Sequence, residues 1–282
     1  MILKRFSLFL LLFWLIHPKE GHSQYSEAGL FLGASNYKGE LSHSLFNTNF
    51  LHPAAGVFYR HNWNRHWSYR VGADIGKVSG DDAKSDIPYE VNRNLSFFST
   101  IWEVYWKFEF NFLPYETGKD GFRFTPYLHS GLALFHFNPK AELNGETYEL
   151  QPLGTEGQGL NGVDPYGRVK LSFPIGGGLK FSFGAMGVSL EVTTRKAYTD
   201  YIDDVSTVYP DLTALRALHG PAAVALSDRS LAPPDPSTAI YPGKQRGNVE
   251  NNDWYAFYGI TLFIRLNSLV KDSCMPFKAR RY

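Results

Sequence analysis

The chain has 282 residues and a formal net charge of +1, a balance that gives no electrostatic argument for binding nucleic acid. Its length suits one large all-β domain or two small ones. Aromatic residues make up 16% of the chain, which favours β structure and the aromatic belts of membrane proteins. Cys274 is the only cysteine, which excludes an internal disulfide.

The N-terminal segment, residues 1–23, has the build of a secretory signal peptide. Lys4 and Arg5 precede an apolar run from Phe6 to Ile16, which is too short for a membrane-spanning helix. We therefore expect an exported chain that is cleaved near Ser23.

Eight later stretches alternate between apolar and polar residues with a period of two, which is typical of β-strands. In chain order they are Glu27–Ser35, Ala54–Trp63, Trp67–Lys77, Phe97–Phe112, Phe122–Phe135, Arg168–Phe183, Val188–Lys196 and Trp254–Leu266. The fourth stretch, FFSTIWEVYWKFEFNF, is the clearest. A soluble sandwich and a membrane barrel both produce such a pattern. An ordinary strand has roughly five or six residues, so the greater length of this stretch favours a strand that spans a membrane.

The connections between these stretches alternate between long and short along the whole chain. This is the pattern of an up-and-down barrel with short turns at one end and long loops at the other, whereas a Greek-key sandwich has no reason to keep it. We predict an all-β fold: an eight-stranded antiparallel up-and-down transmembrane β-barrel over residues 24–266. An even strand count places both ends of the barrel on the short-turn side, which is periplasmic in an outer membrane, with the long loops extracellular.

Charged residues fall on the faces that such a barrel turns inward. An eight-stranded barrel has an interior just wide enough for its own side chains. We therefore predict a packed, ion-paired interior network that is structural and not catalytic. Its members are Arg70, Asp74, Glu103, Lys107, Glu109, Arg123, Glu191, Arg195 and Arg265, joined by Glu27, Arg60 and Lys180.

The largest loop, Tyr198–Asp253, contains a cluster of three acidic residues, Asp200, Asp203 and Asp204. Clustered carboxylates can bind calcium, but a solvated, turn-forming loop base is the interpretation that the sequence favours. An Ala-rich stretch at Leu212–Leu226 predicts one short helix.

The sequence shows no catalytic, cofactor or metal motif. The histidines are scattered, and the glycine-rich GTEGQG at 154–159 lacks the following helix that a phosphate site needs. We expect a protein that is not an enzyme and has no cofactor. A Ser/His/Asp set on the loop rim remains open as an alternative.

Three stretches resemble the PorG family: YSEAGLFLGASNYKGEL, TDYIDDVSTVY at 199–209 and RGNVENNDWYAFYGITLFIRL at 246–266. This family comprises outer-membrane β-barrels of the type IX secretion machinery of Bacteroidetes. The resemblance implies location in the outer membrane of a Bacteroidetes-like cell. It also implies contact with membrane lipids and with a periplasmic ring built of a PorK-like lipoprotein and its PorN-like companion.

A tail of sixteen residues, NSLVKDSCMPFKARRY at 267–282, follows the last predicted strand. With the resemblance included, Cys274 is a candidate for a disulfide to the periplasmic ring partner, because the periplasm permits disulfides. The basic residues Lys278, Arg280 and Arg281 are either partner-binding or a solvated end. The first functional hypothesis is thus a non-enzymatic anchor of secretion machinery. A small barrel enzyme and a surface adhesion or binding barrel, both acting through the long loops, are the alternatives.

Overall fold

The computed structural model describes residues 24–231 and 240–266, which form a closed ring of β-strands with a folded cap at one end. The predicted signal peptide at residues 1–23 lies outside the described residues. So does the predicted tail at residues 267–282, with Cys274, Lys278, Arg280 and Arg281. No helix in the described part of the chain is long and apolar enough to cross a membrane.

Ten strands are present in the described residues. They are β1 (Tyr25–Lys38), β2 (His52–Asn62), β3 (Trp67–Asp81), β4 (Ser96–Asn111), β5 (Phe124–His136), β6 (Lys140–Leu143), β7 (Glu146–Glu149), β8 (Val169–Phe183), β9 (Met186–Ala197) and β10 (Trp254–Arg265). All of them except β6 and β7 form the barrel wall. The short β6–β7 hairpin is an addition that the alternating pattern did not predict, and it touches the wall at one pair, Phe98 with Lys140.

Each wall strand pairs antiparallel with its two neighbours around the ring. The ring order is β1, β2, β3, β4, β5, β8, β9, β10, and β10 pairs back with β1 to close it. The closing register places Glu27 opposite Arg265 and Lys38 opposite Trp254. The prediction of an eight-stranded antiparallel up-and-down barrel is confirmed.

The outer surface of the wall is a continuous apolar band. On β4, Trp102 and Val104 are 59% and 57% exposed, while Glu103 between them is 2% exposed. Other wall strands continue the band with Leu30, Leu32, Val57, Val71, Leu128, Leu132, Leu134, Leu171, Ile175, Leu190, Val192, Ile260 and Leu262. An apolar outside around a charged inside is the arrangement of a barrel in lipid.

An aromatic cluster borders this band at the short-turn end. The ring of Trp63 lies 5.5 Å from that of Phe108, and the rings of Trp67 and Phe110 are 4.7 Å apart. Amphipathic aromatic rings concentrate at the level of lipid headgroups. The turn between β2 and β3 therefore marks one membrane interface.

The long connections fold into a cap at the other end. We define the cap as the described parts of residues 39–51, 82–95, 137–168 and 198–253. It contains four short α-helices, which are α1 (Pro88–Arg93), α2 (Leu150–Leu153), α3 (Leu212–His219) and α4 (Pro221–Ser227), and two 3-10 helices, Thr48–Phe50 and Asp82–Lys84. The single helix predicted over Leu212–Leu226 is wrong, because Gly220 adopts a left-handed φ of 85° and Pro221 starts a second helix.

The cap has its own apolar core, which is continuous with the upper barrel interior. Ile202, Val205 and Leu226 are buried together, and the cluster extends to Phe135 and Tyr255 on the wall. The long loops are therefore packed against the barrel and one another.

Candidate functional site

The barrel interior holds a charge network that spans the ring. Arg70 on β3 donates to both oxygens of Glu191 on β9, at 2.7 and 2.5 Å, and its Nε lies 3.0 Å from Glu109. Lys107 lies 3.7 Å from the same Glu191. Since β3 and β9 stand on opposite sides of the ring, these contacts cross the interior from wall to wall.

Two further groups extend the network along the barrel axis. Toward the cap, Arg195 binds Glu103 at 2.6 Å and Asp74 at 3.1 Å. Toward the short turns, Arg60 lies 2.9 Å from Glu27 and 2.8 Å from Glu109. Lys180 completes this end with a 2.6 Å contact to Glu109.

The buried charges in the interior are balanced. Among residues 24–231 and 240–266, the five basic residues buried between the walls are Arg60, Arg70, Lys107, Lys180 and Arg195, and the five acidic residues are Glu27, Asp74, Glu103, Glu109 and Glu191. Each acidic side chain has a cationic partner inside the same low-dielectric space, which is the condition under which a buried charge is tolerated.

Two of the residues predicted for the interior lie elsewhere. Arg123 precedes β5 in the short-turn connection, where its side chain is 64% exposed and pairs with exposed Asp120, so its interior assignment is wrong. The predicted strand began at Phe122, whereas β5 begins at Phe124, so the alternation was extended to a residue that precedes the strand. Arg265 lies at the short-turn rim, bonded to the Thr117 carbonyl at 2.8 Å and to Glu116 at 3.4 Å.

The short-turn end is closed by the connection between β4 and β5. Tyr115, Glu116 and Thr117 fold into the barrel mouth and are at most 3% exposed. Thr117 donates to Glu27, and its backbone N–H donates to the Tyr25 hydroxyl at 3.3 Å. Residues 115–117 thus block the barrel at this end, and the charged side chains fill the interior along its length.

A second group of charges lies in the cap, where four carboxylates form what we call the acidic cluster: Glu40, Asp200, Asp203 and Asp253. The pairing of the barrel strands explains why these four side chains lie close together. Glu40 follows the end of β1, Asp253 directly precedes β10, and Asp200 and Asp203 follow β9. Because β10 pairs with both β1 and β9 at this end, the three chain segments emerge side by side.

Tyr37 stands at the centre of the acidic cluster. Its hydroxyl lies 2.5 Å from Asp203 Oδ2 and 3.0 Å from Asp253 Oδ1. Backbone N–H groups hold the other oxygens, with Val205 donating to Asp203 and Ile202 donating to Asp253, both at 2.9 Å. These bonds fix the two carboxylates in orientation.

Burial and mutual repulsion change the acidity of the acidic cluster. Burial, and next the charge of Asp200, raise the pKa of Glu40 to about 8. Burial, followed by the charge of Asp203, raises the pKa of Asp200 to about 8. Burial also raises the pKa values of Asp203 and Asp253 well above the usual range.

The interpretation of Asp200, Asp203 and Asp204 as a solvated loop base is wrong. Asp200 is 5% exposed, Asp203 is 1% and Asp204 is fully buried. The cap core covers them, and sequence alternation carries no information about a loop that folds back on a barrel. The closure of the predicted barrel was the one signal that could have indicated this cluster, since the pairing of β1 with β10 brings Glu40 and Asp253 together.

Asp204 belongs to a separate contact within the cap. It accepts a hydrogen bond from Tyr166 at 2.7 Å and another from Thr155, and burial raises its pKa to about 6. Nearby, Arg246 binds Glu156 at 3.0 Å, and Glu156 also accepts from the backbone of the 198–253 loop. These bonds join the third and fourth long loops.

An open cavity of about 600 Å³ lies beside the acidic cluster. Its lining includes Glu40, Arg93, Lys196, Asn248 and Trp254. The cavity gives solvent a path to Glu40 from the surface of the cap.

One cap contact brings a serine, a histidine and a carboxylate together, but not in a catalytic order. His43 lies 2.8 Å from Glu90 Oε1, and Ser85 donates to Glu90 Oε2 at 2.5 Å. The carboxylate stands in the middle, whereas nucleophile activation requires the imidazole between serine and acid.

Together, the apolar outer band, the closed ring of eight strands and the ion-paired interior define a β-barrel of the outer-membrane class. Residues 6–219 match the family described as "Domain of unknown function (DUF6089)". The chain belongs to that family. No curated protein matches the sequence.

Three solved structures are similar in form at low identity. Ail of Yersinia pestis, solved with the heparin analogue sucrose octasulfate, has a TM-score of 0.40 at 10% identity and covers 86% of this chain and 99% of its own. Neisserial surface protein A has a TM-score of 0.39 at 8% identity, covering 88% and 100%. The N-terminal barrel of Pseudomonas aeruginosa OprF has a TM-score of 0.33 at 9% identity, covering 87% and 100%. These similarities assign no function to the present chain.

Proposed function

We propose that this protein is a non-enzymatic structural component of a type IX-like secretion machine, where it anchors a periplasmic ring complex to the outer membrane. The observation that carries the proposal is the filled interior. Five buried cations paired with five buried carboxylates leave no passage for a secreted protein, so a role as scaffold fits better than a role as channel.

The resemblance to the PorG family supplies the identity of the machine. Its three stretches converge in space, because TDYIDDVSTVY follows β9 while the other two contain β1 and β10. They therefore specify one continuous part of the barrel and cap.

The direction of the last strand supports a periplasmic contact. β10 ends at Arg265 beside the start of β1, and the backbone N–H of Leu266 donates to the Ser26 carbonyl at 2.8 Å. The tail at 267–282 follows from this short-turn end. We propose that Cys274 forms a disulfide with a PorK-like lipoprotein, and that Lys278, Arg280 and Arg281 bind an acidic surface of it or of its PorN-like companion.

The test is affinity purification of the full chain from cell envelopes under non-reducing conditions. The native chain, Cys274→Ser and Ser273→Ala are compared on gels run with and without reductant. We expect a reductant-sensitive adduct with a periplasmic protein for the native chain and Ser273→Ala, and its loss in Cys274→Ser.

A triple variant, Lys278→Ala/Arg280→Ala/Arg281→Ala, separates the ionic contact from the disulfide. Under reducing conditions, we expect the triple variant to recover less partner than the native chain does. Added salt should reduce recovery by the native chain more than recovery by the variant, because only the native chain retains the ionic contact. Recovery of no periplasmic partner by any of these proteins, under any of these conditions, would overturn the anchoring role.

A further inference from the structure

The acidic cluster brings oxygen ligands within the span of a single ion. One oxygen each from Glu40, Asp203 and Asp253 lie within 4.8 Å of one another. Two oxygens bound to the same calcium ion, at about 2.3–2.6 Å each, are separated by at most about 5.2 Å. The three carboxylates therefore already have the spacing of a common coordination sphere.

The charges of the acidic cluster are not balanced by the protein around it. Arg93 is the guanidinium whose charge acts on both Glu40 and Asp203, but it is committed to Asp82 through two bonds of 2.8 Å. Its remaining bonds go to the backbone carbonyls of Arg246 and Glu40. None of the ion pairs observed within residues 24–231 and 240–266 includes a carboxylate of the cluster. This contrasts with the balanced barrel interior.

Asp200 provides an independent indication of a ligand. Its residue is 5% exposed, and both carboxylate oxygens are buried without a hydrogen-bond partner. The Ser206 hydroxyl lies near enough to lower the pKa of Asp200 but makes no well-aligned bond to it. Buried polar atoms are nearly always satisfied by protein, water or an ion.

The charge of Asp200 acts directly on the other members. Among charged groups it contributes most to the raised pKa of Glu40, and it also raises that of Asp253. Oε2 of Glu40 is likewise buried and unpartnered. Three buried oxygens, two on Asp200 and one on Glu40, thus lack a partner among carboxylates that repel one another.

The Tyr37 hydroxyl cannot resolve this repulsion. It is near a carboxylate oxygen of both Asp203 and Asp253, yet it has one proton to donate. One of these two contacts therefore has no hydrogen between its oxygen atoms, unless a second proton or a cation lies there.

Gly39 leaves room at the same point. A Cβ on this residue would stand 1.9 Å from the Tyr37 hydroxyl and 2.1 Å from Asp253 Oδ1. The backbone between β1 and Glu40 thus passes against the cluster where any side chain would enter it.

From this geometry we propose that the acidic cluster is a calcium site that ties the ends of β1, β9 and β10 to the cap. An all-oxygen set with several carboxylates and adaptable geometry suits calcium, whereas magnesium demands a tighter octahedron. The cavity that reaches Glu40 supplies the entry path. Because ligands come from three segments, the bound ion cross-links the 198–253 loop to the barrel rim.

The proposal is tested with the full chain in detergent, freed of metal by a chelator and then titrated with CaCl₂ by equilibrium dialysis with radioactive calcium. The decisive variant is Asp200→Asn, because the change removes the charge of Asp200 without breaking a well-aligned hydrogen bond of its carboxylate. Asp120→Asn, whose parent side chain is 90% exposed at the short-turn end, is the matched control. We expect one calcium per chain for the native protein and Asp120→Asn, and affinity weaker by at least about tenfold for Asp200→Asn.

A structural readout accompanies the binding measurement. Calcium is expected to slow trypsin cleavage within the 198–253 loop of the native chain, and to have little effect in Asp203→Asn/Asp253→Asn. Absence of saturable calcium binding at millimolar concentration overturns the proposal. Equal binding by Asp200→Asn and the native chain overturns it as well, as does saturation by MgCl₂ without saturation by CaCl₂.

Discussion

Arg70 and Glu191 stand on opposite walls of the barrel and meet in its centre through two hydrogen bonds of 2.7 and 2.5 Å. The planar guanidinium matches the carboxylate fork, a geometry that a lysine at the same place would not reproduce. A bond of this kind sets the distance between β3 and β9 and makes the two walls depend on each other.

Loss of Arg70 is expected to destabilise the barrel strongly. Arg70→Met leaves Glu191 and Glu109 with fewer cationic partners in a buried space, and breaking such a pair costs about 3–5 kcal/mol. Arg123→Met, which removes an exposed pair, is expected to cost about 0–1 kcal/mol. Urea unfolding in lipid vesicles, followed by tryptophan fluorescence, measures both. Equal effects of the two variants would contradict the buried network.

The filled interior leads us to expect no ion conductance. The paired charges, the stopper at Tyr115–Thr117 and the cap lie one above another along the barrel axis. Purified protein inserted into a planar lipid bilayer should give no step-like currents under an applied voltage. Sustained single-channel steps from the native chain would show that the interior opens.

Leu132 tests the lipid face of the wall. It is 53% exposed, and it pairs with Trp106 near the middle of the apolar band. Leu132→Arg places a charge against hydrocarbon and is expected to cost about 2–4 kcal/mol, whereas Leu113→Arg in the short-turn connection should cost about 0–1 kcal/mol. Unfolding in vesicles distinguishes them, and a harmless Leu132→Arg would argue against immersion in lipid.

Glu156 tests the coherence of the cap. Its carboxylate binds Arg246 and accepts backbone hydrogen bonds from Ser206 and Thr207 at 2.8 and 2.9 Å. Glu156→Gln should accelerate trypsin cleavage in the 198–253 loop, because the amide has only one acceptor oxygen and no charge for Arg246. The heat-dependent gel shift of the barrel should persist. Glu146→Gln, on the exposed β7 strand, should leave cleavage unchanged; if it accelerates cleavage equally, the effect is not specific to Glu156.

Gly39 tests the room within the acidic cluster. Gly39→Ala brings a methyl group against Tyr37 and Asp253 and should weaken calcium binding in the dialysis assay. Gly167→Ala provides the control, since its added Cβ meets nothing within 4 Å. Unchanged affinity in Gly39→Ala would mean that the ligands lie elsewhere.

The wall of the barrel was predictable because one physical condition governs every strand of it. Lipid outside and packed charges inside impose alternation, and a strand predicted at Phe97–Phe112 lies at Ser96–Asn111. The interior assignment fails where that condition stops, as at Arg123, which lies one residue before the start of β5.

The cap and the acidic cluster were not predictable in the same way. Cap helices are too short to show a clear period, and their burial depends on contacts between distant loops, such as Glu156 with Arg246. The sequence shows that Asp200 and Asp203 are acidic residues close together, but it does not show that the cap buries them. That enclosure comes from the pairing of β10 with β1 and β9, which a local pattern does not report.

The pairing of β1 with β10 has a consequence for how the protein is made. The first wall strand finds its second partner only in the last one, from Glu27 with Arg265 to Lys38 with Trp254. Until β10 is available, β1 and β9 carry unpaired backbone groups that lipid does not satisfy. Insertion of a closed barrel into lipid must therefore wait until nearly the whole polypeptide, through β10, is available. An assembly factor that shields the open edges of β1 and β9 during this delay would have to release both at the same moment.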